Sequence, residues 1–128
     1  MKNILIVDND LPFVFWLCQV LGAAGYETVP ATGVPEAVAA MAELDIRVDL
    51  LMVRRALPGA DAFAAELRST QRGRLKAIAL IGQNETQSDS IAGWDGWQIK
   101  LKVSDAIARK IFLSLVQSAL TDGTAESW

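Results

Sequence analysis

The chain has 128 residues, of which 52% are hydrophobic and 21% charged, with a formal net charge of −3 at pH 7. That composition describes one globular domain, long enough to bury a proper core. A pI near 4.8 excludes a non-specific nucleic-acid binder, which needs a basic face, and the absence of histidine excludes His-dependent acid–base and phosphoryl chemistry and the usual zinc sites.

The first element is a compact apolar strand, Lys2 to Asp8, with an acid at its carboxyl end. Asp10 is placed to cap the helix that follows, with Pro12 in its first turn, where a missing N–H costs little. That helix is expected to run to about Ala24 and to stop at Gly25. A short second strand covers Tyr26 to Pro30, and Gly33, Pro35 and Glu36 open an alanine-rich helix reaching about Leu44. A third strand, Asp49 to Val53, precedes a loop and a helix from about Ala60 to Thr70. Leu75 to Ile81 reads as a fourth strand, followed by a polar loop and a short helix from about Glu85 to Ala92. Trp97 to Lys100 is the fifth strand. Ser104 or Asp105 caps a final amphipathic helix ending near Leu120, and 121–128 reads as a frayed tail beyond a domain spanning 1–120.

Strands alternating with helices in this way imply βαβ units and a parallel sheet covered on both faces. The expected fold is α/β and flavodoxin-like, a doubly wound five-stranded sheet in the order 2-1-3-4-5 with five helices. In such sheets ligands sit beyond the carboxyl ends of the strands, and the switch point falls between strands 1 and 3. Asp8 and Arg54 are the residues placed there. Walker, Gly-x-Gly-x-x-Gly and Gly-x-Ser-x-Gly motifs are absent. Cys18, the single cysteine, has no partner for an internal disulfide. No secretory leader opens the sequence and no apolar run is long enough for a bilayer, so a cytoplasmic protein without a membrane role is expected.

Four segments in order and spacing carry a resemblance. Ile-Leu-Ile-Val-Asp8-Asn9-Asp10, Ala-Gly25-Tyr26, Asp49-Leu-Leu-Met-Val-Arg54-Arg-Ala-Leu-Pro58-Gly-Ala-Asp61-Ala and Ala92-Gly93-Trp-Asp95-Gly-Trp97-Gln-Ile-Lys100 together resemble the receiver domain of bacterial response regulators. The resemblance implies an acidic pocket, a phosphoacceptor aspartate four residues before the proline, a switch hydroxyl after strand 4, a switch aromatic and a lysine. On this chain those positions fall on Asp8 and Asn9, Arg54, Gly82, Trp97 and Lys100. Leu101 stands where the family carries a proline. The stretch between strands 4 and 5 is also shorter than usual by ~4 residues, about one helical turn.

These substitutions have chemical consequences. Phosphoryl transfer to a receiver needs a carboxylate nucleophile and a Mg²⁺ ion held by carboxylate oxygens. Arginine has no lone pair to offer and stays protonated, so no Mg²⁺ and no phosphorylation are expected, and no catalytic residue is assigned. Two readings of Arg54 follow. Its guanidinium pairs with Asp8, and with Asp10, filling the place of the metal and clamping strands 1 and 3, or it extends into water. Lys100 is read as solvated or paired with Asp8, with an anion site built from Arg54, Arg55 and Lys100 as the rival.

The first helix is apolar nearly all round. Phe13, Leu17, Val20, Leu21 and Ala24 are expected to face the sheet, leaving Leu11, Val14, Phe15, Cys18 and Gly22 as a candidate interface, a homodimer's among others. In the last helix Ile107, Ile111, Leu115 and Ala119 read as the core stripe, with Phe112 and Val116 on an outer patch. Trp94, Trp97 and Leu101 are further interface candidates. The expected function is that of an atypical, non-enzymatic, phosphorylation-independent receiver in two-component or phosphorelay signalling. It would contact a signalling kinase, an output domain or its own copy, without a cofactor. The alternatives are a phosphoacceptor using Asp8, Asp10 or Asp61, and a small-anion sensor.

Overall fold

Apolar runs bounded by turn residues form strands buried on both faces when helices cover both sides of a parallel sheet. The computed structural model, described over residues 2–45, 47–70, 75–82, 94–100 and 106–125, shows this arrangement. Strands β1 (Asn3–Val7), β2 (Glu27–Ala31), β3 (Leu50–Arg54), β4 (Lys76–Ile81) and β5 (Gly96–Ile99) form one parallel sheet in the order β2-β1-β3-β4-β5. The helices are α1 (Leu11–Ala23), α2 (Val34–Leu44), α3 (Ala60–Thr70) and α4 (Ala106–Ala125). The described residues therefore hold four helices rather than the five expected. The helix expected over Glu85–Ala92 lies outside the described residues. α4 also continues past its expected end near Leu120.

Side chains alternate across a strand, which divides the core into two layers. Leu5, Val7, Leu51, Val53, Ala77, Ala79 and Ile81 point toward α2 and α3, joined by Phe63, Leu67 and Trp94. Ile4, Ile6, Leu50, Met52, Ile78 and Leu80 point the other way, toward α1 and α4. The register Ile4↔Leu50, Ile6↔Met52 and Arg54↔Leu80 keeps even-numbered residues of β1, β3 and β4 on the α1/α4 side.

α1 starts as its sequence dictates. The Asp10 carboxylate accepts from the Phe13 N–H at 3.4 Å, and Pro12 occupies the first turn. Its end is set by Gly25, whose φ of +97° suits glycine and lets Tyr26 N–H reach back to the Leu21 carbonyl. The buried face is wider than expected: Val14 joins Phe13, Leu17, Val20 and Leu21 inside. Val14 is thus a core residue and not part of an outer surface.

The phase of α4 is the reverse of the expected one. Ala108, Phe112 and Val116 are fully buried, while Ile107 is largely exposed and Ile111, Leu115 and Ala119 are half-buried. Aromatic packing accounts for the rotation. The Phe112 ring meets Phe13 edge-on at 5.6 Å and Trp16 at 5.7 Å, a preferred geometry for rings with opposed face and edge charge. Among the described residues, no helix is long and apolar enough to cross a membrane.

Candidate functional site: a charge-neutralised pocket at the strand ends

Three strand ends deliver the site, because the alternation that places Ile4, Leu50 and Leu80 on the α1 side also governs the residues just beyond. Asp8 follows β1 and donates its N–H to the Ala31 carbonyl at 3.0 Å. Arg54 closes β3. Lys100 follows β5, tied down by its N–H to the Ile81 carbonyl at 2.8 Å. Gly82, immediately past β4 and so between the ends of β3 and β5, brings no side chain to the site.

The Asp8 carboxylate is completely buried. Oδ1 accepts from the Asp10 N–H at 2.9 Å. Oδ2 has no well-directed hydrogen bond, yet lies 3.0 Å from the Lys100 ammonium. Its compensation there is ionic rather than directional. Lys100 is itself only 8% exposed. Its Nζ also donates to Asp10 Oδ2 at 3.1 Å and sits 4.6 Å above the centre of the Phe13 ring. One ammonium thus answers two carboxylates and a π face at once.

Arg54 goes elsewhere. Its guanidinium donates to Asn9 Oδ1 at 2.7 Å on the exposed rim, while the salt-bridge partner of Asp8 is Lys100. The clamp expected between Arg54 and Asp8 is therefore replaced by two separate links, Lys100 to Asp8 and Asp10, and Arg54 to Asn9. Asp8 is fully buried, whereas the Arg54–Asn9 bond lies on the exposed rim. Partial burial works against ionisation of the Asp10 carboxyl. The Lys100 hydrogen bond and charge, the Phe13 N–H and the charge of Arg54 outweigh it, so the group is held below the ordinary carboxylate range.

Arg55 points to the opposite face. Its Nε lies 3.5 Å from Asp61 Oδ1, which also accepts from the Trp94 indole at 2.8 Å. The three cations proposed as an anion site are thus spread over separate acceptors. Trp94, 8% exposed, is a core residue anchored to α3 and not an outer surface. Trp97 stands partly exposed on β5 with Ile99. Leu101 lies outside the described residues. Asp10, already a candidate from the sequence, belongs to the site through Lys100 rather than Arg54, and Phe13, read there only as a sheet-facing core residue, joins it through its ring.

A magnesium ion, which a receiver fold implies, does not fit this donor set. Asp8 and Asp10 are both already matched by Lys100, Asn9 is engaged by Arg54, and a second cation closes β3. Two unit charges ~4 Å apart interact by ~4 kcal/mol at an effective dielectric of ~20, and a divalent ion doubles the repulsion from each cation. Among the described residues, no group of three or more His, Cys, Asp or Glu side chains is gathered to hold a metal.

No protein-family model matches the chain, and no curated protein matches it. Solved structures do. A CheY-like response regulator receiver domain protein from Methanospirillum hungatei JF-1 superposes with a TM-score of 0.75 at 23% identity, covering 98% of both chains. The chemotaxis response regulator CheY4 of Vibrio cholerae gives 0.73 at 21%, over 94% of this chain and 99% of that one. The response regulator TrrA from Thermotoga maritima, in complex with Mg²⁺-BeF, gives 0.67 at 26%, over 88% and 98%. This chain has the receiver-domain fold of two-component response regulators. Within that receiver fold, position 54 at the end of β3 carries a cation.

Proposed function

We propose that this chain is an atypical receiver that signals by protein contact, without phosphorylation and without a metal cofactor. The observation that supports it is the closed charge balance at the strand ends. Lys100 compensates Asp8 and Asp10, and Arg54, where the resemblance implies the phosphoacceptor, is bonded to Asn9. A group that must attack phosphorus needs a free carboxylate lone pair, and neither Arg54 nor Asn9 supplies one.

The other aspartates are poor substitutes. Asp8 is fully buried and Asp10 is occupied by Lys100, while Asp61 lies on the α3 side, bonded to Arg55 and Trp94. The reading places the chain in two-component or related signalling, with a kinase, an output domain or another signalling protein as partner. The protein has no catalytic role of its own in this reading.

Incubation with acetyl phosphate and Mg²⁺, followed by intact mass measurement, tests it. The unmodified mass is expected throughout. A stable adduct of one phosphoryl group would overturn the reading and direct attention to Asp8, Asp10 or Asp61.

A further inference from the structure

A continuous run of contacts leaves the strand ends and reaches the last helix. Three electron-rich groups surround the Lys100 ammonium: Asp8 Oδ2 at 3.0 Å, Asp10 Oδ2 at 3.1 Å and the Phe13 ring, whose centre lies 4.6 Å away. Phe13 is tied to the same cluster a second time, because its N–H donates to the Asp10 carboxylate. Its buried ring then packs against Phe112 and, at 6.1 Å, against Trp16. Phe112 is the seat of α4. Of the three residues of this helix that are fully buried, Ala108, Phe112 and Val116, it alone is large. Among the described residues, α4 packs chiefly on α1 and β3.

We infer that the Phe13 ring is a latch between the pocket and α4. The Lys100 ammonium fixes the orientation of the ring, the ring holds Phe112, and the charge at the strand ends thereby sets how firmly α4 is seated. This adds to the contact-signalling reading what the buried charges control. A cation is attracted to the face of a ring and not to its edge, and an edge-to-face aromatic pair is equally dependent on tilt. One ring that meets both demands has a single orientation. Without the cation only its packing remains, and packing alone tolerates more than one tilt. The ammonium is almost wholly shielded from water, where attraction to a ring face is strongest. Coupling of this kind is reciprocal. A partner that draws α4 away from Phe13 loosens Lys100 from Asp8 and Asp10, so an event on the outside of the helix is felt at the strand ends.

Amide hydrogen exchange of the full chain is the test, together with the Trp16 indole N–H resonance, identified by its loss in Trp16→Phe. Asp8→Asn combined with Lys100→Met removes the ammonium without leaving a buried charge. Exchange over Ala108–Val116 is expected to rise roughly tenfold and the Trp16 resonance to move. Exchange over Phe63–Leu67 of α3, on the other face of the sheet, is expected to stay within about twofold. A second variant leaves every charge in place. Phenylalanine bearing one, two or three fluorines at position 13 keeps the shape of the ring and drains its face, so α4 exchange rises stepwise with fluorine count. In the Asp8→Asn, Lys100→Met background the same series is flat. Unchanged α4 exchange, an equal rise in α3, or fluorine steps that persist without Lys100 would each overturn the inference. The phosphodonor experiment is independent: a phosphoryl adduct would remove the contact-signalling reading alone, and α4 exchange indifferent to Lys100 would remove the latch alone.

Discussion

The Lys100 ammonium is the residue on which the pocket depends. Removing one partner of a buried ion pair leaves an uncompensated charge, which costs about 3–5 kcal/mol. Lys100→Met, which keeps the stem and deletes the charge, is expected to lose that much in urea denaturation, because Asp8 has no exposure to water. Pairing it with Asp8→Asn removes the orphaned charge, and the double variant is expected to recover most of the loss. Arg54→Ala acts on an exposed bond and should cost about 1 kcal/mol or less. If Arg54→Ala proved the more damaging, the assignment of roles in the pocket would be wrong. Asp10 adds a pH dependence. Its folded carboxyl titrates below the ordinary range, so its stabilising contribution is fully present above the unfolded value. That contribution fades as pH falls through the lowered folded value. Asp10→Asn should flatten this acid limb of the stability profile, by a modest amount since the carboxylate is partly exposed and screened by salt. The participants at this scale were legible in the sequence, and the pairing in part: Lys100 with Asp8 was one reading of the lysine and is the one found, whereas the pairing of Arg54 with Asp8, suggested by adjacent strands, is not.

Elements were legible wherever hydrophobic period and punctuation agreed. Asp10, Pro12 and Gly25 bracketed α1, and Leu50 to Val53 declared a strand buried on both faces, as found. Phase was harder. In α4 the residues Ile107, Ile111, Leu115 and Ala119 form one apolar stripe and Ala108, Phe112 and Val116 form its neighbour, so periodicity alone does not say which one faces the sheet. The choice is made by Phe112 fitting between Phe13 and Trp16, a contact between elements far apart in sequence. Phe112→Ala is accordingly expected to cost about 3–5 kcal/mol, measured by chemical denaturation, against a change within about 0.5 kcal/mol for the exposed Ile107→Ser. The opposite ranking would restore the other phase. In α1 the same ambiguity hid Val14, because a helix apolar on every side gives no polar edge from which to locate the buried stripe.

For the whole molecule, the sheet order β2-β1-β3-β4-β5 was readable from alternation and connection length, since parallel βαβ units leave few topologies open. The proposed function rests on what stands at the strand ends. Structural likeness at 21–23% identity to CheY4 and the Methanospirillum hungatei protein speaks to the fold, and a fold hosts chemistry only through its site. Here two acids and two bases face one another at the position where the receiver resemblance implies an acidic cavity. Such a pocket has no excess negative charge with which to draw in a divalent ion, which is the basis of the proposal that the domain signals by contact. The most direct measurement is ¹⁹F NMR of the protein with beryllofluoride and Mg²⁺, read alongside thermal unfolding. The account predicts no protein-bound fluorine resonance and no ion-dependent rise in Tm, since only a ligand that binds the native state raises it. A slowly exchanging bound resonance, with Mg²⁺-dependent shifts at Asp8 and Arg54, would contradict it.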